Sequence, residues 1–379
     1  MKKERILLLY LQAGGGHYSG AKALSACIKE KYAEKAEAYM VDGLPEDELF
    51  VKGIIEDGYR ITANFLVPLY AASYELSKLS PIMKSHIETF SKISTDYIAE
   101  YIQSLNITKI VVLHFFLVKP SRDAVERLGL PIPIITVVMD PFTTHPMWFY
   151  EKEGPFIVFS ERMKRWAIEE NGIREEDIHV FPIILKREFE RRMSPEEVAE
   201  YKQKLGFRPD KKVLLFAGGG DGLPNGDRYL EYALKLKIDA DMAIVCGRNK
   251  LLKFQVDLVT KRYKNSTVKV YEFIDFMYQL MNIADVIVTK GGPATVMEAL
   301  ILEKPVIIVD YIYGQEKGNV DFVVENRVGH FIRNPKKAME TTKALLENPE
   351  SFEEMRKNIQ ALQLRNGTQE IVDFILTCN

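Results

Sequence analysis

Short apolar runs alternate along this chain with longer stretches of helical spacing, and that alternation limits the fold more than any other feature. The runs fall at Arg5–Leu11, Ala38–Asp42, Lys109–His114, Ile134–Met139 and Phe156–Phe159. They recur at Lys212–Ala217, Met242–Cys246, Val268–Tyr271, Val286–Thr289 and Val306–Asp310. Strands separated by amphipathic helices make β-α units, and β-α units make parallel sheets. Both sets open alike, with a strand, a glycine cluster (Gly14–Gly16; Gly218–Gly222) and a helix. The pattern predicts an α/β chain of two Rossmann-like, doubly wound domains facing across a cleft. Its 379 residues are long for one compact domain and comfortable for two.

The boundary is expected between Phe181 and Asp210. Phe181-Pro182 closes the first half, Glu188–Leu205 is a charged helical stretch, and Gly206, Pro209 and Asp210 punctuate the second sheet's start. We divide the chain at 1–185 and 186–354. The tail from Ser351 keeps helical spacing through Ile359, Leu362, Ile371, Phe374 and Ile375.

Net charge is −2, which gives no whole-chain reason to expect nucleic acid. The three cysteines, Cys27, Cys246 and Cys378, lack metal-ligand spacing, so a reduced cytoplasmic setting is the default. Ile6–Leu11 after a basic start looks like a signal peptide, but the run is short and ends in glycines; a buried strand is expected. Nothing approaches the ~20 uninterrupted apolar residues of a membrane span, so any lipid contact is expected to be peripheral.

The densest chemistry lies between Val286 and Asn319. A strand runs into Gly291 and Gly292, then into a helix with Pro293 near its first position. Bare backbone N–H groups at such a helix start suit a phosphate or diphosphate. Thr295-Val296-Met297-Glu298 matches a capping box, yet Pro293 at the first helical position puts the cap at Gly292 and Thr295 inside the helix. Glu298 can then reach the hydroxyls of whatever carries the phosphate. The next strand delivers Gln315 and Glu316, polar groups able to read a sugar. In the other glycine cluster, Gly218, Gly219 and Gly220 let backbone approach a diphosphate, with Asp221 turned toward sugar or solvent. A nucleotide-sugar site fits best.

In the first half, Gly14-Gly15-Gly16-His17 follows the first strand. A dinucleotide fingerprint with Asp42 is the rival, but Ser19 stands where its third glycine belongs. His114 ends another strand on the same edge, and Asp140 through Trp148 form a loop at that edge, where open α/β sheets bind ligands. Asp140 is open to orienting His17, sharing proton transfer, or capping its loop. Asp239-Ala240-Asp241 has a metal-pair spacing but precedes a strand, at the opposite edge, and reads as a solvated turn. Tyr59–Lys92 places Ile61, Phe65, Leu69, Ala72, Leu76 and Leu79 at helical spacing, either as a lipid and acceptor element or as a core helix bent at Pro68.

Lys290–Ala299 and Gly314–Asn319 resemble the donor-site signature of the diacylglycerol glycosyltransferases. These are the bacterial processive diacylglycerol glucosyltransferases and plant-type monogalactosyldiacylglycerol synthases, relatives of the lipid II enzyme MurG. The resemblance extends to Gly14–His17, His114 and Asp140–Trp148. It implies the GT-B type of two-domain fold, with a tail helix (about 355–379) crossing back to the first domain. It further implies a UDP-hexose donor, a lipid acceptor, no cofactor, no metal, and a peripheral position on the inner face of the membrane. His17 becomes the candidate general base, with Asp140 beside it. Gly16, His114, His145 and Trp148 become acceptor-side residues. Glu298 takes the ribose, Gln315 and Glu316 the sugar, and Phe273 and Ile274 the uracil through backbone groups. One departure stands out: the family usually reads Lys-Pro-Gly-Gly, and here it is Lys290-Gly291-Gly292-Pro293. A UDP-sugar epimerase of the same shape, a transferase acting on soluble or lipid II-type acceptors, and a catalytically silent binding protein remain alternatives.

Overall fold

The computed structural model describes residues 3–12, 15–45, 48, 53, 67–263 and 267–378. The chain forms two compact units: Met1–Arg187 with Tyr313–Gln315 and Asn366–Asn379, and Glu188–Ile312 with Glu316–Arg365.

The first unit runs β1 (Glu4–Tyr10), α1 (Gly15–Lys31), β2 (Ala36–Asp42), α2 (Val67–Ser77), α3 (Ser80–Ser104), β3 (Lys109–Val112), α4 (Val118–Leu128), β4 (Ile134–Val137), β5 (Phe156–Val158), α5 (Glu161–Glu169) and β6 (Ile178–Val180). Its six-stranded parallel sheet has the order β2-β1-β3-β4-β5-β6. Alternation along β1 divides its apolar side chains between two cores. Ile6 and Leu8 join one cluster and Leu7 and Leu9 the other, all with no exposed surface. A strand buried on both faces reads as a continuous apolar run, which is why its sequence signal is strong.

The second unit begins with α6 (Pro195–Leu205), β7 (Lys212–Ala217), α7 (Gly226–Lys235), β8 (Ala240–Val245), α8 (Lys250–Arg262) and β9 (Val268–Tyr271). It continues through α9 (Met277–Ile283), β10 (Val286–Lys290), α10 (Pro293–Ile301), β11 (Val306–Asp310), α11 (Lys317–Glu325), β12 (Gly329–Phe331), α12 (Pro335–Glu347) and α13 (Pro349–Ala361). This sheet is also six-stranded and parallel, in the order β12-β11-β10-β7-β8-β9. Edge strands β6 and β12 escaped the sequence reading because each is a three-residue strand centred on a histidine.

Other expectations need correction. Asp241 is no solvated residue: it lies in β8, fully buried, and accepts from Arg208 N (2.7 Å) and Arg208 Nε (2.8 Å). A buried carboxylate requires such partners; Asp239 alone faces solvent, paired with Lys211. The Tyr59–Lys92 stretch is not one helix within its described part. α2 ends at Ser77 and α3 restarts at Ser80 with Pro81 in its first turn, where the missing N–H costs nothing. Residues 59–66 lie outside the described residues, as does Gly14. Among the described residues no helix is long and apolar enough to cross a membrane.

The last helix, α14 (Thr368–Thr377), packs in the first unit, where Tyr32 Oη donates to Asp373 at 2.6 Å. α13 stays with the second unit, held by Arg356–Glu303 (3.3 Å) and by Met355 in the core. The segment belonging to the first unit therefore starts at Asn366, whose amide accepts from Leu185 N and donates to Leu185 O. Lys109, 4% exposed, sends its ammonium to the carbonyls of Ile375 (3.0 Å), Leu376 (3.1 Å) and Cys378. Those are the orphan acceptors at a helix C-terminus, where positive charge is favoured. Lys109→Met should lower unfolding free energy by about 1–3 kcal/mol, the cost of buried acceptors left unpaired. Urea unfolding of both proteins measures it, and coincident curves would show the carbonyls satisfied another way.

Candidate active site

In the second unit the chain leaves β7 for β8 on one side and later crosses back to β10 on the other. The loops after β7 and β10 thus diverge, opening the crevice at which doubly wound sheets take ligands. The glycines after β7 divide by role. A Cβ on Gly218 would fall 2.3 Å from the Gly222 carbonyl oxygen, and one on Gly222 would fall 2.7 Å from the Cys246 oxygen. Those two serve backbone packing. Gly219 (φ +80°) and Gly220 are exposed at the tip, with no atom within 3.4 Å of an added Cβ.

The loop after β10 is built around buried polar contacts. Gly291 N donates to the Asp310 carbonyl (2.7 Å), and the Gly291 carbonyl accepts from Asn319 Nδ2 (2.7 Å). Gly291 therefore has no N–H left for a ligand, contrary to the sequence expectation. Gly292 is the N-cap of α10 and makes no side-chain cap bond, with Pro293 in the first turn. The orphan donors are those of Gly292, Ala294 and Thr295. Thr295 lies inside the helix, so the capping-box geometry for Glu298 does not form; Glu298 sits half-buried one turn on.

Glu316 is 6% exposed and caps no solvated turn. Its Oε2 accepts from Ile312 N (2.8 Å) and its Oε1 pairs with Lys290 Nζ (3.2 Å). Lys290 has a place the sequence reading left unassigned. An added Cβ on Gly219 would stand 3.9 Å from Lys290 Cε, and one on Gly292 3.7 Å, so this side chain runs between the two glycine tips. Arg248 was also missed. Its N–H donates to the Gly220 carbonyl (2.8 Å) and its guanidinium lies 4.9 Å over the ring of Phe273, which is 60% exposed. Ile274 beside it is half-buried. The available signal was position at the sheet's ligand edge: Lys290 is the last residue of β10, and Arg248 comes three residues after β8 ends.

In the first unit the corresponding divergence lies between β1 and β3. His17, in the first turn of α1, has its Nδ1 2.6 Å from the Leu113 carbonyl. A carbonyl only accepts, so Nδ1 carries the hydrogen and Nε2 keeps its lone pair. Burial pushes the His17 pKa down to about 4, with the Leu113 contact acting the other way. Its ring lies 4.7 Å from His114 and 6.2 Å from Trp148. Gly16 is half-buried and has open space around a would-be Cβ.

The remaining first-unit residues each bond to neighbouring chain groups or pack in the interior. His114, 3% exposed, accepts from Phe116 N through Nδ1; burial, then the neighbouring His17, hold its pKa well below the usual value. His145 accepts from Met147 N through Nδ1 (3.2 Å), and its Nε2 meets Ser77 Oγ at 3.0 Å. Burial first, then Lys78, push the His145 pKa to about 4. Asp140 Oδ2 accepts from Thr144 Oγ1 (2.7 Å) and Trp148 Nε1 (3.4 Å). Of the roles open to Asp140, these contacts support the loop anchor; the group that fixes the His17 tautomer is the Leu113 carbonyl. Trp148 has no exposed surface, so it packs under the site. Gln315 groups with this unit, its carbonyl accepting from Thr143 Oγ1 (2.9 Å).

Residues 17–184 match the family model for monogalactosyldiacylglycerol (MGDG) synthase, and residues 228–371 match the glycosyltransferase family 28 C-terminal domain. Together the two matches span most of the chain, so each half is similar to part of a glycosyltransferase. It is 27% identical to the MGDG synthase of Spinacia oleracea over 89% of its own length but 65% of that protein's, just under two thirds. It is 26% identical to the processive diacylglycerol beta-glucosyltransferase of Bacillus pumilus, over 98% of this chain and 94% of that one. Among solved structures it is similar to MurG of Acinetobacter baumannii, with a TM-score of 0.61, 16% identity and 99% of each chain covered. That likeness shows the fold, the GT-B arrangement of paired Rossmann-like domains.

His17 is thus a neutral imidazole. His17, His114 and His145 all titrate below 6.5 in the folded protein, so the unfolded chain binds more protons as pH falls below that value. The stability they contribute is complete above pH 6.5 and is lost progressively toward about pH 4. Histidine NMR titration should put His17 and His145 near 4, with unfolding free energy falling over that window. A His17 midpoint at the ordinary 6.5 would mean a solvated ring.

Proposed function

We propose that this protein is an inverting, metal-independent glycosyltransferase that moves a hexose from a UDP-sugar to a lipid hydroxyl, of diacylglycerol or a glycosyl-diacylglycerol. The observation that carries the reading is His17. It is a neutral imidazole at a sheet's ligand edge, its tautomer fixed by Leu113, in a chain whose halves match MGDG synthase and a family 28 C-terminal domain. Nε2 takes the acceptor hydroxyl's proton as the oxygen attacks the anomeric carbon, on the face opposite UDP. A single displacement inverts the configuration and needs no sugar–enzyme intermediate.

The donor's diphosphate lies on the N–H groups of Gly219, Gly220, Gly292, Ala294 and Thr295, with Lys290 supplying charge. Backbone dipoles and a cation stabilise the departing UDP without a metal. Glu298 takes the ribose and Phe273–Ile274 the uracil. Gln315 reads the sugar, while Glu316, bonded to Lys290 and Ile312, positions the cation and the loop. No cofactor takes part beyond the donor. The enzyme works from the cytoplasmic face of the membrane, bound peripherally.

His17→Ala should lower turnover by ~10²–10⁴, the usual worth of a positioned general base, and leave UDP affinity unchanged. EDTA should leave activity intact. Glu298→Ala and Lys290→Ala should each weaken UDP binding by about 1–3 kcal/mol in calorimetry, as for lost hydrogen bonds to a charged partner. Equal affinities in both variants would remove the donor assignment. Radiolabelled UDP-glucose and UDP-galactose offered with diacylglycerol, lipid II precursors and soluble sugars test the acceptor. Label confined to water-soluble glycosides would end the lipid half, and an epimer formed without acceptor would replace transfer by isomerisation.

A further inference from the structure

Helix α8 carries an apolar face that the second unit does not use. Leu252, Val256 and Val259 fill the core, yet Leu251, Phe254 and Leu258 are 66%, 60% and 41% exposed. At one hundred degrees per residue, spacings of three and four put these three on one stripe. Exposed leucines scattered singly call for no explanation, but an aligned group does. The flanks are basic. Between Arg248 and Arg262 the chain carries five basic residues (Arg248, Lys250, Lys253, Lys261, Arg262) against one acid, Asp257. Asp257 pairs with Lys253 inside the helix, and Arg262 reaches Glu231 at only 3.7 Å. Lys250 and Lys261 are exposed and form no ion pair among the described residues.

The geometry points to α8 as an interfacial helix by which the second unit docks on an anionic lipid surface. Leu251, Phe254 and Leu258 enter the boundary between headgroups and acyl chains, and Lys250, Lys261 and Arg262 meet the lipid phosphates. A second copy of the chain fits the face less well. Two-fold pairing through the stripe, in either helix direction, sets the basic flanks against each other, with one acid already paired to oppose them. The docking does not rest on the sugar-transfer reading, because it requires neither donor nor acceptor.

Phe254→Trp in the full chain, read against the wild type's two tryptophans, reports the face directly. Emission should shift to the blue with phosphatidylcholine–phosphatidylglycerol vesicles and much less with phosphatidylcholine alone. Lys250→Glu with Lys261→Glu should lower affinity for the anionic vesicles by about tenfold or more, and Phe254→Glu with Leu258→Glu should do likewise, while UDP affinity stays unchanged in both. If the Phe254→Trp protein sediments with vesicles while its emission stays unshifted from the wild type's, the proposal is overturned. A concentration-dependent blue shift without vesicles would also overturn it, as the mark of a self-association face.

Discussion

Each sheet holds its first strand between two neighbours, and the rest of the molecule's chemistry depends on that placement. β1 pairs with β2 and β3, and β7 with β8 and β10. All strands run parallel, so every strand ends at the same edge of its sheet, and the helix after the first strand starts there too. Pairing on both sides brings a second strand end within reach of that helix. Leu113 N bonds to Leu9 O, which sets the Leu113 carbonyl beside the incoming turn of α1, where it accepts from His17. The same logic sets Lys290, at the end of β10, beside the glycine tip that follows β7.

The histidines show how one residue type acquires different duties from local hydrogen bonding alone. Burial keeps His17, His114 and His145 neutral, so each offers one donor and one acceptor. In His114 and His145 the acceptor is Nδ1, taken by the N–H two residues later, and each ring caps a short turn. In His17 the assignment is reversed: Nδ1 donates to a carbonyl, which leaves Nε2 as the acceptor. Only that arrangement gives a base whose lone pair is not consumed by its own loop. In Asp140 one oxygen, Oδ2, is shared by Thr144 and Trp148, which ties the carboxylate to its loop.

The central strands were legible in the sequence because both of their faces are buried, so each reads as an unbroken apolar run; β6 and β12, at the sheet edges, are too short and too polar to stand out. Asp241 misled because a strand start and a turn share the same composition. Only the tertiary contact with Arg208 separates them. The glycine clusters announced two ligand edges, but not which glycines serve packing. Gly20, one residue beyond Ser19, packs against the side chains of Met139 and Leu113. Arg248 was passed over, and Lys290 was read only as part of the donor-site signature, because a lone basic residue near a strand end has no pattern; its meaning comes from the neighbouring loop.

The displaced proline of Lys290-Gly291-Gly292-Pro293 follows from the same accounting of backbone groups. Gly291 has both its N–H and its carbonyl engaged, by Asp310 and Asn319, and an added Cβ there would press on Tyr311 Cβ at 3.0 Å. A proline at 291 would remove the N–H that Asp310 receives, so in this chain that position is closed to it. At 293 the ring falls on the first helical residue, where its fixed φ suits the helix and its missing N–H would have had no partner. The change leaves fewer backbone donors at the start of α10 than an all-glycine turn would present. Lys290, held by Glu316 between the two glycine tips, puts a full positive charge where those donors are fewest.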